Sequence, residues 1–267
     1  MPIPKLVLSV ISIVAISYSQ ASAGPVVAVL GNPSGGAAWN TDIQSKLMAT
    51  GLFSAVDVFD LSSPTQPSLA QLQAYHSVLV YSGSLLPNSL ALGNTLADYV
   101  DGGGGVVLAA FANVQTNELN GRFATSDYWG IEPGTQTQFV RLHLGTIHNP
   151  SSPLLAGVTS FDGGSSSFHG LGSVQVSSTV VADWSNGSPL VVTRTIGSSR
   201  RVDLNFYPVS SDQRSDLWLS NTDGARLMAN SLIFAGVPEP STLALAAFGF
   251  VGLAAWAWRR KQSRAVC

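Results

Sequence analysis

The sequence is poor in cysteine and in charged residues, and each shortage excludes a class of protein. Cys267 is the one cysteine among 267 residues, so the chain that precedes it has no disulfide, no thiolate metal site and no cysteine nucleophile. Five of the 13 basic residues and one of the 15 acidic residues lie outside positions 24–237, which leaves that stretch with a formal charge of −6. This acidic balance disfavours nucleic acids and anionic surfaces as partners.

A long uncharged apolar run lies close to the carboxyl terminus. Residues 241–258 contain no charge and no proline, and as a helix they would span about 27 Å, close to the hydrocarbon core of a bilayer. The run lies between a Pro-Glu-Pro motif and a basic cluster, namely Pro238, Glu239, Pro240, Arg259, Arg260 and Lys261. We predict a transmembrane helix at 241–258, with the basic cluster in the cytoplasm and the preceding chain outside. A buried core helix is the alternative.

The amino-terminal residues have the three regions of a secretory signal peptide. Lys5 supplies a positive charge, residues 6–16 form a short apolar stretch, and Ala21 and Ala23 are small residues at the positions that a signal peptidase reads. We predict cleavage before Gly24, so that residues 1–23 are removed. An uncleaved amino-terminal anchor is the alternative.

The order of motif, apolar run and basic cluster resembles the PEP-CTERM sorting signal of Gram-negative bacteria that make exopolysaccharide. The resemblance covers residues 237–264. It implies recognition by exosortase, a membrane transpeptidase-like enzyme that cleaves near the Pro-Glu-Pro motif. It also implies an inner-membrane intermediate with the body outside, followed by transfer to the cell surface or the extracellular exopolysaccharide matrix. The resemblance implies nothing about the activity of the exported body.

The first half of the body is predicted to alternate between strands and helices. A helix is indicated by Trp39, Ile43 and Leu47, with Asn40 or Thr41 as its cap, and a capping box at Ser68 indicates a second. A third helix covers residues 92–100, and apolar runs predict strands at 25–30, 56–61, 77–81 and 106–111. This alternation favours a doubly wound, mostly parallel α/β sheet.

The second half of the body is less regular. Short strands are predicted at 139–144, 174–176, 180–184 and 190–195, and a turn at Gly197 pairs the last of these with residues 201–206 as a hairpin. A final helix contains Leu227 and Leu232 and ends at Gly236. We predict one α/β domain over 24–236 with an added antiparallel β-hairpin region.

This order of elements is similar to the class I glutamine amidotransferase-like fold, a flavodoxin-like relative. The stretches that carry the resemblance are 77–84, 96–109, 152–161, 202–212 and 225–236. The resemblance implies a catalytic cysteine, histidine and glutamate. Their positions fall on residues 109–112, Tyr207 and Val209, which here are alanines and phenylalanine, tyrosine and valine. Since none of these can supply the nucleophile or a general base near neutral pH, we assign no catalytic residue.

Several other residues are candidates for ligand binding or catalysis. Ser82 and Gly83 follow the third strand, where ligands approach open α/β sheets. Ser82 could be a hydrolase nucleophile with a histidine as base, although no Gly-x-Ser-x-Gly motif is present and the pair could simply form a turn. Trp129, Trp184 and Tyr207 could stack on sugar rings or pack in the core. No residue pattern typical of a metal or cofactor site is present.

These observations favour an exported, non-catalytic binding or structural module with an amidotransferase-like α/β scaffold. The expected partners are an exosortase-type protease, the membrane and an exopolysaccharide, and no cofactor is expected. The alternative is an extracellular serine-type hydrolase with its nucleophile near Ser82.

Overall fold

A computed structural model describes residues 24–63, 65–137 and 139–237. The predicted signal peptide, the sorting motif and the apolar run at 241–258 lie outside these ranges. Within them, no helix is both long enough and apolar enough to cross a bilayer.

The described residues form ten strands in two sheets. The strands are β1 (Val26–Asn32), β2 (Ala55–Asp60), β3 (Ser77–Ser82), β4 (Gly105–Ala109), β5 (Gln136–Thr137), β6 (Leu144–Ile147), β7 (His169–Gly170), β8 (Ser178–Trp184), β9 (Pro189–Ile196) and β10 (Ser199–Leu204). Eight of them form the main sheet in the order β2-β1-β3-β4-β10-β9-β8-β6, and β5 pairs with β7 in a small second sheet. The first five strands of the main sheet are parallel, and the last three are added antiparallel. The predicted α/β fold with a mostly parallel sheet is therefore confirmed.

Helices cover both faces of the parallel strands. The α-helices of the described chain are α1 (Ala37–Ala49), α2 (Leu69–Leu72), α3 (Ser89–Asp101), α4 (Arg122–Thr125) and α5 (Gly224–Ala235). Side chains of α1 and α5 share one apolar cluster with Val29 and Leu79. Side chains of α2 and α3 share the other with Leu30 and Val80. Strands buried on both faces need apolar residues at consecutive positions, which explains their continuous apolar runs.

Two local predictions about helix starts had different outcomes. The capping box is confirmed, because Ser68 and Gln71 exchange side-chain to backbone hydrogen bonds at the start of α2. The predicted cap of α1 is wrong, since the helix begins at Ala37 and Gly36 precedes it without a side-chain cap. Asn40 lies inside the helix instead, where its side chain accepts a hydrogen bond of 2.6 Å from the Tyr81 hydroxyl.

The predicted hairpin is confirmed by β9 and β10, but two predicted strands are wrong. The strand expected at 139–144 begins only at Leu144, and Phe139 has a φ of 60°, which is outside the extended region. In the stretch 174–176, Val174 forms only an isolated bridge with Ile131. Phe139, Val140 and Val176 are exposed, so their apolar side chains do not indicate burial in the sheet.

The glycine run after α3 makes room for the end of α5. A Cβ atom on Gly105 would lie 2.2 Å from the Ala235 carbonyl oxygen, and one on Gly104 would lie 2.4 Å from the Tyr99 ring. Gly103 has a φ of 96°, a conformation that favours glycine. The run therefore allows the last turn of α5 to pack directly on the start of β4.

Candidate functional site

A cavity of about 200 Å³ lies at the carboxyl ends of the parallel strands. This is the edge of an open α/β sheet at which ligands commonly bind. Its walls are mostly aromatic, and they are formed by Trp39, Phe111, Phe168 and Tyr207. Its polar groups come from Ser34, Asn117, Gln136 and Arg214, and Gly83 completes the lining.

Tyr207 lies at the centre of the aromatic wall. Its ring centroid is 5.8 Å from Trp39 and 5.4 Å from Phe111, within the usual range for aromatic pairs. Burial raises the pKa of the Tyr207 hydroxyl, although Ser34 and the charge of Arg214 act in the opposite direction. The hydroxyl therefore stays protonated at neutral pH and is no general base.

Gly83 permits the close approach of the groups around this hydroxyl. A Cβ atom at position 83 would lie 2.4 Å from the Tyr207 hydroxyl oxygen and 2.7 Å from the Ser34 amide nitrogen. Any larger residue would therefore push the Tyr207 and Ser34 groups apart and fill part of the cavity. Gly83 lines the cavity, and its contribution to ligand binding stays a prediction.

Arg214 supplies the positive charge of the cavity. Its guanidinium carbon lies 5.6 Å from the Trp39 ring centroid and 5.2 Å from that of Phe168, as in cation–π pairs. Nε and Nη2 donate to the two carboxylate oxygens of Asp216 at 2.5 and 3.0 Å, and Nη1 makes no hydrogen bond to any described residue. The guanidinium is thus fixed in position and keeps one donor edge for a ligand.

Asp216 holds the guanidinium and is itself held by a serine. Its Oδ2 accepts a hydrogen bond of 2.6 Å from the Ser166 hydroxyl. Burial raises the pKa of Asp216, but the hydrogen bonds from Arg214 and Ser166 outweigh burial and leave it below its usual value. The carboxylate therefore stays ionised throughout the neutral range.

A second hollow of about 300 Å³ adjoins the cavity. It shares Asn117 and Gln136 with the cavity and continues along Val114, Gln115 and Thr135, so the two form one depression. Thr116, also in its lining, has a φ of 78°. That conformation is rare for a β-branched residue, and such strain is common at ligand sites.

The positions that the amidotransferase-like resemblance assigns to catalysis do come together. The Ala110 amide donates to the Phe206 carbonyl oxygen at 3.2 Å, which places the segments after β4 and β10 side by side. The nucleophile position is occupied by residues 109–112 and the base position by Tyr207. These segments therefore lie next to each other, and residues 109–112 and 207–209 contain no cysteine, histidine or glutamate.

Ser82 does not form a catalytic pair in this structure. Its side chain is fully buried, and its hydroxyl donates to the Ser84 carbonyl oxygen. His76 precedes β3, at the opposite end of the strand, and hydrogen-bonds with Val26. No described histidine makes a hydrogen bond to Ser82, so the geometry gives the serine no base.

The proposed stacking roles of Trp129 and Trp184 are wrong, because both indoles belong to the core. They are 4% and 1% exposed. Trp129 packs edge-on against Phe123 at 5.1 Å between ring centroids, and Trp184 donates from Nε1 to the Asn205 carbonyl oxygen at 3.0 Å. Neither ring has a free face for a sugar.

Sequence reasoning missed most of the cavity. The sequence indicated Trp39 only as a helix residue, and it indicated Phe111 only as part of a strand and of the stretch 109–112 that the resemblance aligns with the nucleophile. Phe168 and Arg214 lie in irregular segments, where no local pattern indicates a site. Within the described ranges, no three histidine, cysteine, aspartate or glutamate side chains are grouped as metal ligands would be.

The comparisons with known proteins match the carboxyl-terminal tail and the body to different proteins. Residues 236–261 match the PEP-CTERM protein-sorting motif. No curated protein matches the chain. Among solved structures, a cytoplasmic protein of Salmonella typhimurium is similar with a TM-score of 0.58 and 15% identity, over 81% of this chain and 100% of that one.

Two ThuA-like proteins have comparable similarity. The structure from Parabacteroides merdae has a TM-score of 0.56 and 14% identity, over 82% of this chain and 92% of that one. The structure from Bacteroides uniformis has a TM-score of 0.56 and 14% identity, over 80% and 93%. At these identities the comparison establishes the fold alone.

Both resemblances found in the sequence are confirmed. The tail is a PEP-CTERM sorting motif, which implies recognition by exosortase and a membrane-anchored export intermediate. The body has a ThuA-like, glutamine amidotransferase-like fold.

Proposed function

We propose that this chain, which carries a PEP-CTERM sorting motif, is a non-catalytic binding module displayed at the cell surface or in the exopolysaccharide matrix. Residues 1–23 would be removed on export, 24–236 would form the binding domain, and 237–264 would be the sorting signal with a membrane-spanning segment at 241–258. The cavity at the carboxyl ends of the strands would bind sugar units of a polysaccharide.

The observation that carries this proposal is the composition of the cavity. Phe168 is only partly buried and offers aromatic surface against which the C–H face of a sugar ring packs, and Trp39, which is 8% exposed, extends the apolar wall beside it. Arg214, Asn117 and Gln136 offer hydrogen-bonding groups for ring hydroxyls or a carboxylate. An apolar concave wall with a few fixed polar groups is the usual composition of a small-ligand site.

The residues at the cavity are also the reason for proposing that it binds a ligand without catalysing a reaction. The positions that the resemblance aligns with the nucleophile and the base hold residues that cannot serve as a nucleophile or as a general base near neutral pH. Ser82 is buried and has no histidine partner in the described chain. Binding without turnover is therefore the simpler use of this cavity.

Calorimetric titration of the secreted protein with oligosaccharides from the producing organism's matrix would test the proposal. Arg214→Ala is expected to weaken binding at least about tenfold, since a hydrogen bond from a charged donor contributes roughly 1.5 kcal/mol or more. Arg141→Ala is the matched control. Arg141 also forms a two-point ion pair with an aspartate, Asp162, but it does not line the cavity.

Two results would contradict the proposal. One is the absence of binding to every matrix glycan tested, and the other is an equal effect of the Arg214 and Arg141 substitutions. Treatment with a fluorophosphonate probe tests the hydrolase alternative directly. Covalent labelling that disappears in Ser82→Ala would replace the binding module with a serine-type hydrolase.

A further inference from the structure

The cavity lies at one edge of the main sheet, and both ends of the described chain lie at the opposite edge. We infer that the anchored protein holds the amino ends of its strands toward the bilayer and its cavity toward the outside. The surface that faces the membrane is then formed by the glycine run at 102–104 and its neighbours. This inference rests on the membrane insertion of residues 241–258 proposed above.

The chain leaves the described body at the amino edge of the sheet. Gly236 follows α5, and a Cβ atom on it would lie 3.1 Å from the carbonyl oxygen of His76. His76 immediately precedes β3, and Gly105, which contacts Ala235, begins β4. The sorting signal therefore starts beside the first residues of two central strands.

The amino-terminal end of the body lies at the same edge. The Gly24 carbonyl oxygen accepts a hydrogen bond of 2.5 Å from the Ser54 hydroxyl, and Ser54 immediately precedes β2. Val26, the first residue of β1, hydrogen-bonds with His76 at 3.2 Å. The described part of the chain therefore begins and ends at the edge opposite the cavity.

The tether between body and apolar run is short. Three residues, Pro238, Glu239 and Pro240, separate Val237 from the start of the run at Ser241. Even fully extended, these four steps reach about 14 Å, and two prolines restrict the backbone further. By contrast, a six-residue strand such as β3 is about 20 Å long, and the cavity lies beyond its far end. The tether is too short for the body to turn its cavity toward the lipid freely.

The chemistry of the amino edge suits a position next to phosphate headgroups. Gly236 lines a hollow of about 300 Å³ together with Gln73, Tyr75, His76, Tyr99 and residues 102–104. This lining contains no carboxylate, although the body as a whole is acidic. Asp57, which accepts a hydrogen bond from Tyr75, and Asp101, which precedes Gly102, lie next to the hollow, so only the hollow itself is free of negative charge and can approach an anionic layer with less repulsion than the rest of the acidic body.

The orientation means that ligand binding does not depend on release from the membrane. The cavity is accessible from outside while the sorting signal is still uncut, and a ligand in the cavity does not cover the exosortase site. Polysaccharide could therefore bind the intermediate as well as the processed protein.

Fluorescence quenching in vesicles would test the orientation. The full chain, purified from membranes before exosortase processing, is reconstituted with Cys267→Ser and one new cysteine. Gln73→Cys places a label at the exposed amino edge, and Leu85→Cys places one just after β3, where the residue is 70% exposed. With nitroxide-headgroup lipids, the label at position 73 should lose most of its fluorescence and the label at 85 should keep it.

A variant with a longer linker shows whether unequal quenching comes from a fixed orientation of the body or from unequal exposure of the two labels. A Gly/Ser insert of about 20 residues between Val237 and Pro238 has a root-mean-square reach of about 25 Å, so quenching at the two positions should become similar. Equal quenching without the insert, or stronger quenching at position 85, would overturn the orientation but leave the proposed binding function intact. A chain that does not float with the vesicles would overturn both the orientation and the proposed membrane insertion.

Discussion

Removing the Asp203 carboxylate should destabilise the body strongly, because the carboxylate balances a buried charge. Asp203 lies in β10 and accepts a hydrogen bond of 2.6 Å from Arg201, and both side chains are at most 1% exposed. Its other oxygen accepts the backbone amides of Gly130 and Ile131 at 2.9 and 2.7 Å. Arg201 also donates to the Tyr128 carbonyl oxygen. The pair thus fixes the segment around residue 130 to the sheet.

The expected loss of stability in Asp203→Ala comes from the buried arginine and the two backbone amides that the substitution leaves without a partner. An arginine buried without its partner typically costs about 3–5 kcal/mol. Each of the two amides left without an acceptor would add about 1–3 kcal/mol if it stayed dry, but local relaxation and water entry reduce that contribution. We therefore expect a decrease of at least about 3 kcal/mol in the free energy of unfolding, a large share of the stability of a single domain.

Urea unfolding of residues 24–237, followed by tryptophan fluorescence and circular dichroism, measures this loss. The double variant Arg201→Met/Asp203→Ala distinguishes the cost of the unpaired charge from that of the unsatisfied amides. It removes the charge of Arg201 and still leaves the amides of Gly130 and Ile131 without an acceptor. It should be more stable than Asp203→Ala alone. A single variant within about 1 kcal/mol of the parent, or a double variant less stable than the single one, would refute the reasoning.

Three further predictions concern stability. Gly105→Ala should cost about 1–3 kcal/mol by urea unfolding, because its Cβ would lie 2.2 Å from the Ala235 carbonyl oxygen, whereas Gly102→Ala, with 3.4 Å to its nearest atom, should cost less. Ser68→Ala should lower stability by about 1 kcal/mol through loss of the capping box, and an unchanged melting temperature would contradict this. Burial lowers the pKa of His169 below 6.5, so the unfolded chain takes up a proton that the folded chain does not, and stability should fall as pH drops below that value. His169→Gln should make this decline shallower in unfolding curves recorded between pH 7 and pH 5, and an unchanged slope would argue against it.

Features that depend on neighbouring residues were predictable from the sequence. The apolar runs of β1, β3 and β4 indicated strands buried on both faces, and the capping box at Ser68 marked a helix start. The turn at Gly197 indicated the hairpin of β9 and β10. The sorting motif was equally clear, because its parts are read in order along the chain. In each case the signal lies within a few residues of the structure that it specifies.

Features that depend on contacts between distant residues were not predictable. Trp129 and Trp184 were candidates for ligand stacking, but contacts with residues distant in the sequence bury both in the core. The fold instead lines a cavity with aromatic and cationic side chains by bringing Trp39 and Arg214 together from positions 175 residues apart.

The sequence by itself determined the alternation of strands and helices and the sorting motif, since these follow from residue type and local order. Only the tertiary structure decided which side chains line the cavity and that both ends of the body emerge at the edge opposite to it. Those outcomes depend on how parallel strands align in the sheet, because alignment places all amino ends at one edge and all carboxyl ends at the other.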